Sequence, residues 1–176
     1  MHTPSTNELL FKSWLMDHRG IIIRVTRSFA RASTEAADLE QEIQLQLWNS
    51  MQSFAGKAKP STWIYRVCLN TAMTWRRARI RRESKFDSDT DFEKIPTPGT
   101  SPFDTASDAE ILEKLYAAIQ AIPDFDRALV LLSLDGVSYH EIAEITGLTE
   151  GHVGTALTRA RKRLANLMKG ITNELE

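Results

Sequence analysis

Apolar residues recur every three or four positions along most of the chain, a spacing that is typical of one face of an α-helix. In the first half, these stripes predict two short helices joined near Gly20, a third that starts near Ser33 or Thr34 with one of these residues as its N-cap, and a fourth from about Ser61 to Arg82. In the second half they predict four more helices. The alternation of a β-strand is nowhere sustained, so the pattern predicts an all-α fold.

Proline, glycine and capping residues divide the second half into its helices. Pro123 ends the first apolar stripe, and the next helix runs from Asp124 to Leu134. Thr149 is expected to cap a last helix, because a threonine hydroxyl can accept a hydrogen bond from a free amide of the first turn. The apolar stripe of this last helix comprises Val153, Leu157, Leu164 and Leu167.

The segment from Ser138 onward has the spacing of a helix-turn-helix. Ser138 and Glu141 form a capping-box pattern, and Gly147 suits the left-handed position that closes a helix. Ala143, Gly147 and Val153 provide the small residue, the turn and the apolar anchor that the motif needs. A plain helical hairpin is the alternative, but the basic tail of the second helix favours DNA.

The second helix of this motif would enter a major groove with its exposed N-terminal positions facing the base edges. These positions are Glu150, Gly151, His152, Gly154, Thr155, Thr158 and Arg159. Thr155 and Arg159 lie on one helical face, away from the apolar stripe. Arg161, Lys162 and Arg163 are expected to contact phosphates or to remain solvated.

Charge is distributed unevenly, although the 176 residues have a net charge of only −1. Residues 1–82 hold 13 Lys and Arg against 6 Asp and Glu, whereas residues 83–113 hold 2 against 9. Residues 83–107 are rich in proline and lack an apolar period, which favours a flexible acidic linker. The sequence therefore predicts two small helical domains, 1–82 and 108–176, of which the second contains the helix-turn-helix.

The fourth helix combines aromatic and cationic side chains, a combination that suits single-stranded nucleic acid because rings stack on bases and cations follow phosphates. The side chains are Trp63, Tyr65, Trp75, Arg66, Arg76, Arg77, Arg79, Arg81 and Arg82. The alternative is that most aromatic rings belong to the core, where Trp14 and Trp48 are expected. Trp63 is compatible with either interpretation. The Asn70 amide could equally read a base edge or cap a neighbouring loop.

Four stretches, in this order, resemble the sigma-70 family of bacterial RNA polymerase sigma factors, of the extracytoplasmic-function (ECF) type. DLEQEIQLQLW (38–48) is similar to region 2.2, and KPSTWIYRVCLNTAMTWRR (59–77) is similar to regions 2.3 and 2.4. Residues 121–148 resemble region 4.1 and the first half of 4.2, and residues 149–164 resemble its recognition helix. The resemblance covers about residues 8–169.

The resemblance implies three binding surfaces. Docking on the coiled coil of the polymerase β′ subunit is implied for Asp38, Gln41, Glu42, Leu45 and Trp48. Capture of the −10 non-template strand, with a base flipped into the loop 54–61, is implied for Phe54, Lys57, Lys59, Trp63, Arg66, Asn70, Arg76 and Arg77. Reading of the −35 duplex beside the β flap is implied for His152, Thr155, Thr158, Arg159, Arg161 and Arg163.

This chain departs from the usual pattern of the family in the recognition helix. Basic residues that the family often carries there fall at Gly154 and Ala156 in this chain. The substitution of two small residues for two cations implies weaker −35 contacts or a different preferred sequence.

Two other classes of protein compete with this interpretation. An enzyme is disfavoured: His140 and Glu141 begin like a zinc-protease motif, but Glu144 stands where the second histidine would be. A stand-alone helix-turn-helix regulator explains only the second half.

Composition and the resemblance also give expectations about setting and partners. No apolar run spans a bilayer, and the single cysteine, Cys68, suits the cytoplasm, so we expect no membrane insertion and a cytoplasmic, nucleoid-associated protein. We expect no cofactor. The resemblance implies an anti-sigma factor among the partners.

Overall fold

The computed structural model describes residues 6–54, 56–86 and 106–173, which form eight α-helices and one 3₁₀ turn. The helices are α1 (Thr6–Asp17), α2 (Arg19–Phe29), α3 (Ser33–Ser50), α4 (Pro60–Phe86), α5 (Ala106–Ala121), α6 (Asp124–Leu134), α7 (Tyr139–Thr146) and α8 (Glu150–Asn173). The 3₁₀ turn, Met51–Ser53, follows α3. None of the described residues lies in a strand, so the all-α prediction is confirmed.

Helices α2, α3 and α4 form the core of the N-terminal half. The apolar side chains that they bury almost completely include Val25, Leu39, Ile43, Ile64 and Leu69. Each such side chain contributes roughly 1.5–3 kcal/mol through its removal from water. Helix α1 packs on this core through the half-buried Phe11, Trp14 and Leu15, so its position depends on aromatic contacts.

Two boundaries in the N-terminal half differ from the predictions. The break between α1 and α2 falls at His18, whose dihedral angles leave the helical region, and Gly20 lies inside α2. Helix α4 begins at Pro60, which suits a first helical position because its missing N–H would be unpaired there. It also continues to Phe86, and an ion pair between Arg79 and Glu83 at 2.6 Å supports the added turn.

The start of α3 uses a carboxylate where a hydroxyl cap was expected. Ala32 is the capping residue and makes no side-chain cap, while Ser33 is already helical and Thr34 follows it. The Glu35 carboxylate accepts a hydrogen bond of 2.8 Å from the Arg31 amide, one residue before the cap. The prediction of a Ser33 or Thr34 cap is therefore wrong, because the side chain in the third helical position reaches back instead.

The helix-turn-helix has the predicted caps. The Ser138 hydroxyl accepts from the Glu141 amide and the Glu141 carboxylate accepts from the Ser138 amide, which completes the capping box. Gly147 ends α7 in the left-handed conformation, at φ = 77°. The Thr149 hydroxyl accepts from the His152 amide at 3.4 Å. Helix α6 spans Asp124–Leu134 as predicted.

The apolar stripe of α8 is buried for only part of its length. Val153 and Leu157 are fully buried and Leu164 is half-buried, but Leu167 is 38% exposed. The predicted stripe therefore includes one exposed residue near the C-terminal end of α8.

Arg127 is buried in the C-terminal half, with a side chain that is 0% exposed. Its guanidinium donates to the main-chain oxygens of Ile119, Gln120 and Ile122 at 3.0, 2.6 and 3.1 Å. The same group lies 4.8 Å from the centre of the Phe29 ring of α2. Burial lowers the pKa of Arg127 to about 10, so the group remains charged at neutral pH. Arg127 thus closes the end of α5 and contacts the N-terminal half.

The two halves also contact each other through the end of α2. The Gln120 amide nitrogen donates to the main-chain oxygens of Arg27 and Ala30, at 2.8 Å each. These carbonyls are among those that a helix leaves unpaired at its C-terminus.

The predicted linker, 83–107, is partly helical in the structure. Its first residues, Glu83–Phe86, belong to α4, and residues 106–107 belong to α5. Residues 87–105 lie outside the described residues, and so does the flexibility predicted for them.

Candidate nucleic-acid and polymerase interfaces

One face of α8 presents the side chains predicted to read duplex DNA. The exposed members are His152, Thr155, Thr158 and Arg159. Val153 and Leu157, on the opposite face, are completely buried. The Thr158 hydroxyl donates to the main-chain oxygen of Gly154, which orients it along the helix. The structure thus brings four of the six predicted residues onto one accessible surface.

The other two arginines contact helix α6. Arg161 donates to the Ser133 hydroxyl, and Arg163 forms an ion pair with Asp126. Both side chains therefore have partners within the C-terminal half. Arg163 could contact a DNA phosphate only if the phosphate displaced the Asp126 carboxylate.

The two small residues of α8 occupy different environments. Ala156 is only 6% exposed, so a cation at this position would be buried among the helix-turn-helix core residues. A Cβ atom added at Gly154 would lie 3.5 Å from the Tyr139 ring, an ordinary van der Waals distance. Only position 154 is therefore compatible with a further side chain near the DNA-reading face.

We predict opposite stability effects for two glycine substitutions in this motif. Gly154→Ala should raise the free energy of unfolding by up to about 1 kcal/mol, because alanine favours the helix interior. Gly147→Ala should lower it by about 1–2 kcal/mol, because a φ of 77° is strained for a residue with a Cβ atom. Urea denaturation of both variants measures the difference, and equal effects would contradict the assignment of the turn.

Three aromatic rings form a cluster at the start of α4. The Trp14 and Phe54 rings are 5.0 Å apart, and each lies 5.4 Å from the Trp63 ring. All three are half-buried, so the cluster retains an exposed edge. Tyr65, by contrast, is buried, so it belongs to the core and is not available for stacking on a base.

The cationic residues predicted to contact the −10 strand lie along the same helix and the loop before it. Those that are exposed are Lys57, Lys59, Arg66 and Arg77, together with the amide residue Asn70. The Arg76 side chain is only 15% exposed. The structure therefore brings all of these residues except Arg76 to a solvent-accessible surface.

Three of these cationic residues contact the C-terminal half. The Lys59 ammonium lies 2.8 Å from the Glu141 carboxylate, and Arg76 lies 2.9 Å from Asp124. Arg66 donates to the main-chain oxygen of Glu144. The hydrogen bond from Lys59 holds the pKa of Glu141 at about 2. Sequence reasoning missed these partners, because no spacing signal connects residues so far apart in the chain.

A separate face of α3 carries the residues predicted to bind polymerase. Asp38, Gln41, Leu45 and Trp48 are exposed and Glu42 is half-buried. Leu45 is 51% exposed, and Trp48 is 40% exposed with its ring 5.1 Å from Phe11. The expectation that Trp48 belongs to the core is therefore wrong; the spacing of α3 places it beside Leu45 on the outer face.

The described part of the chain offers no group of His, Cys, Asp and Glu that could hold a metal ion. His140 is paired with Glu150 at 2.9 Å, which raises the histidine pKa. Burial raises the pKa of the Cys68 thiol to about 12, which leaves it unreactive at neutral pH.

Among the described helices, none is both long and apolar enough to cross a membrane.

Known protein families match both halves of the chain. Profiles of sigma-70 region 2 and sigma-70 region 4 match residues 14–82 and 112–164. The ECF RNA polymerase sigma-E factor of Escherichia coli (strain K12) is 30% identical over 141 residues, which cover 76% of this chain and 74% of that protein. The chain belongs to the ECF sigma factors of the sigma-70 family. A stand-alone regulator is not favoured, because it would leave the region 2 match unexplained.

A longer relative and two solved structures extend the comparison. SigE of Mycolicibacterium smegmatis is 28% identical over 97% of this sigma factor, which spans 64% of that relative. RpoE of Bartonella quintana, solved with the anti-sigma factor NepR, has a TM-score of 0.70 at 23% identity, covering 90% of this chain and 96% of that one. CnrH, solved with the cytosolic domain of CnrY, has a TM-score of 0.63 at 20% identity, covering 91% and 88%. Both structures share this fold.

Proposed function

We propose that this sigma factor binds core RNA polymerase and directs promoter-specific transcription initiation. The observation that carries the proposal is the presence of three separate exposed faces on the two matched regions. The α3 face is acidic and apolar, the α4 face is cationic with an aromatic cluster at one end, and the α8 face is polar and leads into a basic segment. One protein-docking face and two DNA-binding faces are what this function requires.

We assign the three tasks to separate parts of the chain. Residues 1–82 would bind polymerase and the −10 strand, residues 108–176 would bind the −35 duplex and the β flap, and residues 83–107 would link them. The matched ranges 14–82 and 112–164 support this division.

Strand capture at the −10 element is assigned to the loop 54–61 and the first turns of α4. Extruding a base from the stack costs a few kcal/mol, which a pocket and backbone contacts must offset. The half-buried cluster of Trp14, Phe54 and Trp63 offers ring surface for an extruded base, and Lys57 and Arg66 are placed to follow the phosphates. Asn70, Lys59, Arg76 and Arg77 would extend this contact along the helix.

Transcription with purified core polymerase tests the function. We expect the sigma factor and core enzyme together to initiate at specific promoters, which neither component does alone. Tight operator binding without polymerase, combined with no stimulated initiation, would instead establish the stand-alone helix-turn-helix regulator.

Arg159 is the strongest candidate for a base contact in the −35 element. It is exposed on the face of Thr155, and a bidentate arginine contact discriminates one base pair by about 1–3 kcal/mol. We therefore expect Arg159→Ala to lose that discrimination at a single position in a competition assay with promoter variants. Arg161→Ala is the matched control, because Arg161 contacts Ser133. A uniform loss of affinity at all sequences would make Arg159 a phosphate contact.

We also propose a cytoplasmic site of action, at the nucleoid when the sigma factor is bound to polymerase, and regulation by an anti-sigma factor. The B. quintana relative was solved with such a partner, which supports the proposal.

A further inference from the structure

The Tyr139 ring, at the start of α7, lies against α8 at a position where α8 has no side chain. A Cβ atom added at Gly154 would have one close neighbour outside the α8 main chain, the Cε2 atom of Tyr139 at 3.5 Å. Tyr139 is nevertheless 45% exposed, so the contact uses only part of the ring. The two residues form a notch, the Tyr139–Gly154 notch, with the ring as its wall and the main chain of α8 as its floor.

The notch borders the face of α8 that is assigned to duplex DNA. Thr158 is exposed and lies about one turn after Gly154 on the same side of the helix. Its hydroxyl donates to the main-chain oxygen of Gly154, so its one hydrogen is not available to a base. At Gly151, about one turn earlier, an added Cβ atom would have nothing within 4 Å. A base edge can therefore approach the notch closely, and it meets mainly apolar surface there.

Buried neighbours hold the notch in place. Ile142, one turn after Tyr139, and Val153, next to Gly154, are both fully buried. The capping box of Ser138 and Glu141 fixes the first turn of α7, to which Tyr139 belongs. The core of the motif therefore sets the distance from the ring to Gly154, and a surface held in this way can recognise a small group by its shape.

We propose that the Tyr139–Gly154 notch holds a thymine methyl group of the −35 element, which makes Tyr139 a specificity-determining residue. Among the four bases, only thymine carries a methyl group on its major-groove edge, and apolar contact recognises it. This inference rests on the proposed function, which brings α8 into the major groove. A long basic side chain at position 154, as the family often carries, would extend past the ring and fill the notch, so this mode of reading depends on the glycine.

Pairs of promoter duplexes that differ by one methyl group test the proposal. Each −35 position in turn carries thymine or deoxyuridine, first on one strand and then on the other, in a promoter taken from the initiation assay. Holoenzyme assembled from core polymerase and the full-length sigma factor is titrated with each labelled duplex. We expect the native protein to prefer thymine about fourfold at the position that faces the notch, the gain from burying one methyl group.

Three variants identify the notch as the source of this preference. Tyr139→Ala removes the wall and Gly154→Ala fills the floor, so both should abolish the preference at that position. Gly154→Ala is expected to fold at least as well as the native chain, because alanine favours the helix interior, so its loss of preference does not arise from unfolding. Tyr139→Phe is the matched control: it keeps the ring, loses the hydroxyl and should retain the fourfold preference.

Three results would overturn the proposal. Absence of any thymine preference in the native protein, or the same preference in all four proteins, would remove thymine reading from the notch. A uniform loss of affinity by Tyr139→Phe at every duplex would make Tyr139 a phosphate contact through its hydroxyl. Promoter-specific initiation is measured with the same preparations. Initiation without a thymine preference rejects the notch alone, whereas absence of initiation rejects the proposed function.

Discussion

A sigma factor carrying Asp38→Arg with Glu42→Arg should lose at least about 100-fold of its affinity for core RNA polymerase, since placing like charges together at an interface costs several kcal/mol. The acidic residues flank the exposed Leu45 and Trp48 on α3, so a complementary partner surface is expected to be basic. Reversing both charges opposes that complementarity. Titration of labelled sigma factor with core enzyme measures the loss, and promoter-specific initiation should fall with it.

A matched charge reversal separates docking from net charge. Glu83 and Glu110 each form an ion pair within their own helix, with Arg79 and Lys114. Glu83→Arg with Glu110→Arg should therefore retain polymerase affinity while changing the net charge by the same amount. Far-ultraviolet circular dichroism checks that both double variants are folded. An unchanged affinity of the α3 variant would remove this face from the docking site.

Arg127→Ala should lower the free energy of unfolding by about 3–5 kcal/mol, because it leaves three carbonyl groups at the end of α5 without their donor and opens a cavity. The side chain is 0% exposed, so the native contacts are made away from bulk water. A loss of this size is a large part of the stability of a small domain, which is about 5–15 kcal/mol. Urea denaturation followed by circular dichroism measures it.

Arg163→Ala provides the comparison for a surface arginine. Arg163 is 55% exposed and is paired with Asp126. Its removal should change stability by no more than about 1 kcal/mol, as is typical of exposed ion pairs. Equal losses in the two variants would contradict the structural role assigned to Arg127.

Local signals predicted the eight helices and the turn chemistry of the DNA-binding motif. The capping box at Ser138 and the left-handed Gly147 depend on residues within a few positions, and both have the expected geometry. The amphipathic spacing of Val153 and Leu157 likewise identified the buried face of α8. Helix ends were less predictable, as at α3, where no side chain caps the helix from Ala32 and the Glu35 carboxylate accepts from the Arg31 amide instead.

For the candidate site residues too, helical spacing predicted some positions and packing decided the others. Periodicity placed Thr155 and Arg159 on one accessible face, and the structure agrees. The burial of Tyr65 and the exposure of Trp48 did not follow from residue type, because an aromatic side chain suits both a core and a binding surface. Only the packing of neighbouring helices distinguishes the two environments.

The sequence by itself determined the eight helices, the helix-turn-helix and the family, since each depends on short-range spacing or on motifs in a fixed order. The tertiary structure alone decided that Arg127 is buried, that Arg163 contacts α6, and that Lys59 forms an ion pair with Glu141. Lys59 and Glu141 are 82 positions apart, and no local period connects them. Contacts at such separations exist only once the helices pack, and that packing brings cationic side chains of α4 against acidic side chains of the C-terminal half.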